Sequence, residues 1–263
     1  MTKVSKKQET RKRIINAASQ GFRSHGYAGI GVDGIANKAG VTSGAFYAHL
    51  GSKDGAFKAA LTAGLDEVIV AISEFQLHHG TQWVGALSNY YLGQAHRDDL
   101  SCGCAMATLS PEVVRTKPEL HAIYEEKMIE IVELMAQGLV GNTHEECLSK
   151  AWAVLGILIG GLTMARAVAS IKVADDIAVS ITNAAINSAL SAGGFSTSAT
   201  KSTNDPVMVG TRTAMPSNLP SNSGITSETA LAAPVVVGMM LVAAARARRK
   251  SLCGKSTIFW SEV

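Results

Sequence analysis

The chain has 263 residues, 47% hydrophobic and 5% aromatic, with a formal net charge of +3. That is ample apolar material for a core in one or two domains, and apolar content carried by Ala, Leu, Ile and Val without regular turn clusters argues against a β-sandwich and for an all-α protein. Four cysteines (102, 104, 147 and 253) are too few for a disulfide framework at this length, and the basic start MTKVSKKQETRKR has no apolar run behind it. A reducing, cytoplasmic setting is therefore expected.

The small net charge conceals a partition. Residues 1–58 carry a net +7, residues 59–194 a net −8 and residues 195–263 a net +4. A basic head on an acidic body is the pattern of a phosphate-binding module attached to a regulatory one, because neutralising phosphates supplies most non-specific affinity for DNA.

In chain order, Ile14, Ala17, Ala18, Gly21 and Phe22 form the apolar stripe of a first helix. Ser5 with Gln8 is a loose capping-box signal at its start, and His25-Gly26 ends it. Val32, Ile35, Ala36 and Ala39 repeat the spacing over a shorter second helix, stopped by Gly40 in the left-handed conformation. Thr42 or Ser43 then caps a third helix through Leu50, with Ala45, Phe46 and Leu50 turned inward and Ser43, Gly44, Tyr47 and His49 outward. This is a helix-turn-helix. A recognition helix must approach the major groove closely, so its first turn favours small side chains and hydroxyls. Tyr47, His49 and Lys53 suit phosphates, as does the helix amino terminus after Ser52. The candidate DNA contacts are Thr42, Ser43, Gly44, Ala45, Tyr47, His49 and Lys53.

Residues 11–61 resemble the TetR/AcrR family of bacterial transcriptional regulators. The likeness rests on Gly26-Tyr27, Ile35-Ala36, Ala39-Gly40-Val41, Gly44-Ala45-Phe46-Tyr47, His49 and Ser52-Lys53, in that order and spacing. Gly31 departs from the Thr or Ser common in that family, removing one phosphate contact while still able to cap. The resemblance implies a homodimer on double-stranded operator DNA, a helical effector-binding body and, as the usual mode, repression relieved by a small molecule.

In the body, residues 59–194, the stripe Phe57, Leu61, Leu65, Val68, Ile69 and Ile72 predicts a long fourth helix running out of the head. A further helix carries Trp83, Leu87, Tyr90, Tyr91 and Ala95. Ser110-Pro111 reads as a cap with proline at the first helical position, and Thr116 to Glu119 as a capping box for a helix to about Leu139. Thr143 to Glu146 is another, opening a helix to about Ala169. Its Gly156, Gly160 and Gly161 each cost about 1 kcal/mol against alanine, which close approach of another helix would offset. A last helix spans Asp175 to Ala192. The resemblance makes the last two helices a dimer interface, with Gly156, Ile159, Gly160, Ile177, Ile181 and Ala185 as candidates. Aromatic, sulphur and polar side chains on otherwise Ala/Leu helices give the candidate effector pocket: Trp83, Tyr90, Tyr91, Cys102, Cys104, Met106, Tyr124, Met128 and Trp152.

His96 to Val113 is the most distinctive body segment and resembles the "GC" segment before helix six in a subset of the family. Cys102-Gly-Cys104 has three readings: a thiol sensor, opposed by nearby Asp98 and Asp99; a metal site, with only His96 close by; or buried small residues at a tight turn. No catalytic constellation stands out, so neither enzyme chemistry nor a cofactor nor a metal is expected. The competing functional class is a helical small-molecule carrier or enzyme with a vestigial head.

After Gly193-Gly194 the composition turns to Ser, Thr, Asn and Pro, and the family likeness ends. Residues 195–229 read as disordered linker, followed by a 16-residue apolar run, Ala230 to Ala245, and a basic cluster. The run is marginal for a membrane span, and membrane association is not expected.

Overall fold

The structure, a computed structural model, describes residues 5–191. The expectations for residues 195–263, including the disordered linker and the apolar run, lie outside the described residues.

The head is three helices: α1 (Lys6–His25), α2 (Val32–Ala39) and α3 (Ser43–Leu50). Each boundary has a local cause. Ser5 and Gln8 form a reciprocal capping box, Gly26 ends α1 at φ 71°, Gly40 ends α2 in the left-handed region, and Thr42 Oγ1 accepts from the Ala45 amide at the start of α3. Gly31 caps α2 by backbone alone. Ile14, Phe22, Ile35 and Phe46 are fully buried, and Phe22, Tyr27 and Phe57 make an aromatic cluster with centroids 5.2–5.8 Å apart.

Phe57 belongs to α4 (Lys53–His79), whose 27 residues run from the head through the body without a break. Ser52 caps it, accepting from the Gly55 amide. A 3-10 turn (Gly80–Gln82) leads to α5 (Trp83–Leu92), a short α6 (Gln94–Asp98), α7 (Ala105–Val113), α8 (Pro118–Gln137), α9 (His144–Ala167) and α10 (Ile171–Leu190). Helix α4 packs along α8, α9 along α10, and α5 on α10; the buried residues of head and body form one continuous apolar cluster.

Two glycines permit close crossings. At Gly64 an added Cβ would sit 2.6 Å from both the Ala105 Cβ and Arg23 Nη2, so α1, α4 and α7 meet there at backbone range. At Gly161 it would sit 2.3 Å from Ile181 Cγ2, the seam of α9 and α10. Gly156 and Gly160 are different: nothing lies within 4 Å, and both face outward.

Several boundaries correct the sequence reading. Helix α5 stops at Gly93, in extended backbone, so Ala95 belongs to α6. Ser110 is inside α7 and not its cap; its hydroxyl bonds back to the Met106 carbonyl, and Pro111 sits exposed in the last turn, where it forgoes one intrahelical hydrogen bond. Thr116 does not cap α8 either. Its hydroxyl donates to the Val113 carbonyl, and Lys117 is the cap residue with Pro118 at the first helical position. Thr143 does cap α9, while Glu146 reaches back to the Asn142 amide, one residue beyond a capping box.

The crossings predict opposite effects of one substitution. Gly161→Ala must displace Ile181 and is expected to lower unfolding free energy by roughly 1 kcal/mol, because overpacking outweighs the helix-propensity gain. Gly85→Ala, whose added Cβ meets only Ile186 at an ordinary 3.5 Å, is expected to raise it by about 0.5–1 kcal/mol. Urea denaturation of the two variants measures both signs.

Candidate nucleic-acid interface

Of the residues expected on the outer face of α3, Gly44 and Tyr47 are exposed while Ser43 and His49 are partly covered. Thr42, Gly44, Tyr47 and Ala48 are exposed, Tyr47 at 52%, with its ring edge-on to buried Phe46 at 5.5 Å. Phe46 thus anchors the helix while its neighbour points out. Ser43, Ala45 and His49 are half-buried. The His49 Nδ1 faces inward with no hydrogen-bond partner among the described residues, leaving Nε2 as the ring's other polar atom. Ala48, not singled out from the sequence, belongs to the same exposed surface.

Lys53 is less free than its helix-start position implied. Its Nζ lies 4.5 Å from the centroid of the Tyr27 ring, so the ring fixes the direction of the charge. The amino terminus of α4 stands beside it, and together they form a positive edge next to α3. Arg13 adds to this edge: its Nη1 lies 3.8 Å from where a Cβ on Gly40 would be, at the turn between α2 and α3.

Sequence reasoning missed the acids. Asp33 on α2 accepts a 2.5 Å hydrogen bond from Ser43 Oγ, orienting the hydroxyl at the start of the recognition helix. Asp54, in the first turn of α4, accepts from the Tyr27 hydroxyl and pairs with Lys117 Nζ at 3.0 Å. The hydrogen bond from Tyr27, then that from Lys117, holds the Asp54 carboxyl below its usual range. Burial, then the Asp54 carboxylate, pushes the Tyr27 hydroxyl up to about 12. No periodicity signals these pairs, because their partners are 27 and 63 residues apart.

Head and body are also tied by Arg23. Its guanidinium is buried and pairs with Glu67 of α4 at 3.1 Å, beside the Gly64 crossing. Glu112 of α7 reaches within 2.9 Å of where a Gly26 Cβ would be. The end of α7 and the start of α8 therefore both touch the head.

Of the candidate pocket residues, Trp83, Tyr91, Cys104, Met106 and Met128 belong to the continuous core, with Tyr90 and Tyr124 packed partly buried against it. Trp83 is satisfied, its Nε1 donating to the Gly138 carbonyl at 2.7 Å. The Tyr124 hydroxyl is 2.7 Å from Ser110 Oγ. Cys102 is buried at the turn before α7, its amide held by Asp99 Oδ1 at 3.0 Å. Gly103 between the cysteines lets the Arg166 guanidinium come within 2.5 Å of its missing Cβ, which explains the small residue there. Cys104 is a free thiol only 3% exposed, far from the accessibility a sensor needs. Trp152 is not brought to this interior: it is 47% exposed on the outer face of α9. Among the interface candidates, Ala185 is completely buried within the chain and Ile181 packs on Gly161, so both serve the α9–α10 seam. Among the described residues no group of three His, Cys, Asp or Glu is placed to hold a metal.

A three-helix head with a small, exposed recognition helix at a left-handed glycine turn defines a helix-turn-helix DNA-binding protein. Residues 14–60 match the family described as "Bacterial regulatory proteins, tetR family", so the head is a helix-turn-helix of the kind that family carries. Solved structures share the fold. A TetR-family regulator from Cytophaga hutchinsonii is 17% identical with a TM-score of 0.61, the match covering 72% of this chain and 100% of that one. The reduced form of E. coli NemR is 19% identical with a TM-score of 0.57, covering 66% and 96%. The fatty acid degradation regulator FadR from Bacillus halodurans is 17% identical with a TM-score of 0.52, covering 71% and 96%. No curated protein matches significantly in sequence.

The Tyr27–Asp54 pair predicts an alkaline signature. The folded-state value of Tyr27 is raised, so its contribution to stability is present below about pH 10 and is lost as pH rises through about 12. Ultraviolet titration of the folded protein is expected to show a tyrosine ionising near 12 that disappears in Tyr27→Phe; persistence of that step would refute the assignment.

Proposed function

We propose that this DNA-binding regulator acts as a homodimer whose two heads read an operator, and that a small molecule bound in the body releases it, making it a repressor. The observation that carries the reading is the exposed α3 surface of Thr42, Gly44, Tyr47 and Ala48 with half-buried Ser43 and His49 beside it, flanked by Lys53 and the α4 amino terminus, on a segment of net charge +7. Hydroxyls and small residues at the helix start suit base edges; Tyr47, His49 and Lys53 suit the phosphates on either side. The protein works in the cytoplasm, where its DNA is.

The dimer forms through the outer faces of α9 and α10. Trp152, Gly156, Gly160 and Met164 recur every four residues along α9, all exposed. Ile159 and Ile177 are half-buried and complete the surface, with Val179 exposed on α10. The open space over Gly156 and Gly160 lets a second copy's helix approach the α9 backbone, repaying the helix-propensity penalty of the two glycines. This also accounts for the apolarity of α9, which is long and apolar enough to cross a membrane by composition but packs on α8 and α10.

The effector sits in the body interior near the half-buried Tyr90 and Tyr124, with Trp83, Tyr91, Cys102, Cys104, Met106 and Met128 as walls. Its leverage comes from α4, Arg23–Glu67 and Lys117–Asp54, which connect interior to head. A ligand that favours one packing of α7 and α8 also favours one spacing of the two heads.

The test is fluorescence anisotropy with DNA selected by the protein from a random pool, over a range of salt. Binding is expected to fall steeply with salt, Lys53→Ala to reduce the log–log slope by about one, and Tyr47→Ala to weaken binding about tenfold. Salt-independent binding, or variants indistinguishable from wild type, would contradict the reading.

A further inference from the structure

A cleft of about 150 Å³ opens between α6, the end of α9 and the start of α10, apart from the body interior. Arg97 lines it and is 92% buried. Its Nη2 donates to Asp175 in the second turn of α10, while its Nη1 is buried with no hydrogen-bond partner among the described residues. A buried guanidinium N–H left unpaired is costly, so the arrangement calls for an acceptor.

The same cleft is bounded by the amino terminus of α10, a 20-residue helix. Ser170 Oγ accepts from the Val173 amide and the Ser170 carbonyl from the Ala174 amide. That leaves the first-turn amides of Ile171 and Lys172 outside the intrahelical ladder, on the positive end of the dipole. Arg166, near the end of α9 and also lining the cleft, donates to the carbonyls of His96, Arg97 and Asp99 at 2.7–3.4 Å. It adds positive charge and holds the α6 backbone that carries Arg97.

We propose that this cleft binds a small monocarboxylate, its oxygens accepting from Arg97 Nη1 and from the α10 amino terminus. Two features choose this class over phosphate. Asp98 and Asp175 stand beside the arginines and disfavour a multiply charged ligand. Apart from the neutral polar Gln94 and Ser170, the remaining walls, Ala165, Val168, Ala169, Ile171 and Ala174, are apolar and suit a short alkyl chain. The volume admits only a few heavy atoms, so the ligand is short.

Calorimetric titration of the full chain with sodium butyrate tests it. Saturable binding of one butyrate per chain is expected, with inorganic phosphate binding more weakly. Arg97→Gln is expected to weaken butyrate binding about tenfold or more, the effect of losing a charge-assisted hydrogen bond. Asp175→Asn, which keeps the arginine, preserves binding. Because Arg97→Gln also removes the partner of Asp175, a second variant, Ala169→Phe, fills the cleft with its charges intact and is expected to abolish binding. Absence of saturable butyrate binding by the wild type, or wild-type affinity in either Arg97→Gln or Ala169→Phe, would overturn the proposal.

Discussion

The close approach of α1, α4 and α7 at Gly64 is the constraint on which the arrangement of head and body depends. With a hydrogen in place of a side chain, α4 lets Ala105 and the Arg23 guanidinium pack against its backbone. A larger residue would push α7 outward and displace Arg23, whose charge is buried and therefore must keep its partner Glu67. The orientation of the head is thus held by backbone contact and the Arg23–Glu67 pair, with Lys117–Asp54 as a second tie, while α4 runs through 27 residues into the body.

The electrostatics follow the same division. Two of the head's cations stand on the α3 side together with the α4 amino terminus: Lys53 held over Tyr27 and Arg13 at the α2–α3 turn. Two of its three acids are occupied, Asp33 with Ser43 and Asp54 with Tyr27 and Lys117. Lys117 is contributed by the body, so part of the neutralisation of the head's acidic residues depends on how α8 is seated. A shift of α8 would therefore change both the position of the head and the charge around it, two effects of one motion.

Local chemistry was legible in the sequence; partner choice was not. Gly40, Thr42, Ser52 and the Ser5–Gln8 box announce helix ends because capping acts over three or four residues, and the head stripe ending at Phe22 repeats with the helical period. Ser110 and Thr116 misled for a related reason. A hydroxyl can accept from an amide ahead of it or donate to a carbonyl behind it, and here both made the second choice. Trp152 and Ala185 show where periodicity stops: it says that a residue lies on a face, not which neighbour covers that face. Trp152 went outward and Ala185 inward. The Tyr27–Asp54–Lys117 chain and the Arg97 cleft were invisible, since each joins residues dozens of positions apart.

In the proposed assembly two copies meet through the outer face of α9 and α10, so that two α3 helices engage one DNA site. Light scattering of the protein alone and bound to its selected DNA, for wild type and Trp152→Glu, tests it most directly. The expected result is a mass of two chains free and two chains per DNA for wild type, with Trp152→Glu monomeric and binding DNA weakly. A wild-type chain that is monomeric in both states, or a Trp152→Glu variant that remains dimeric and binds as tightly, would contradict it.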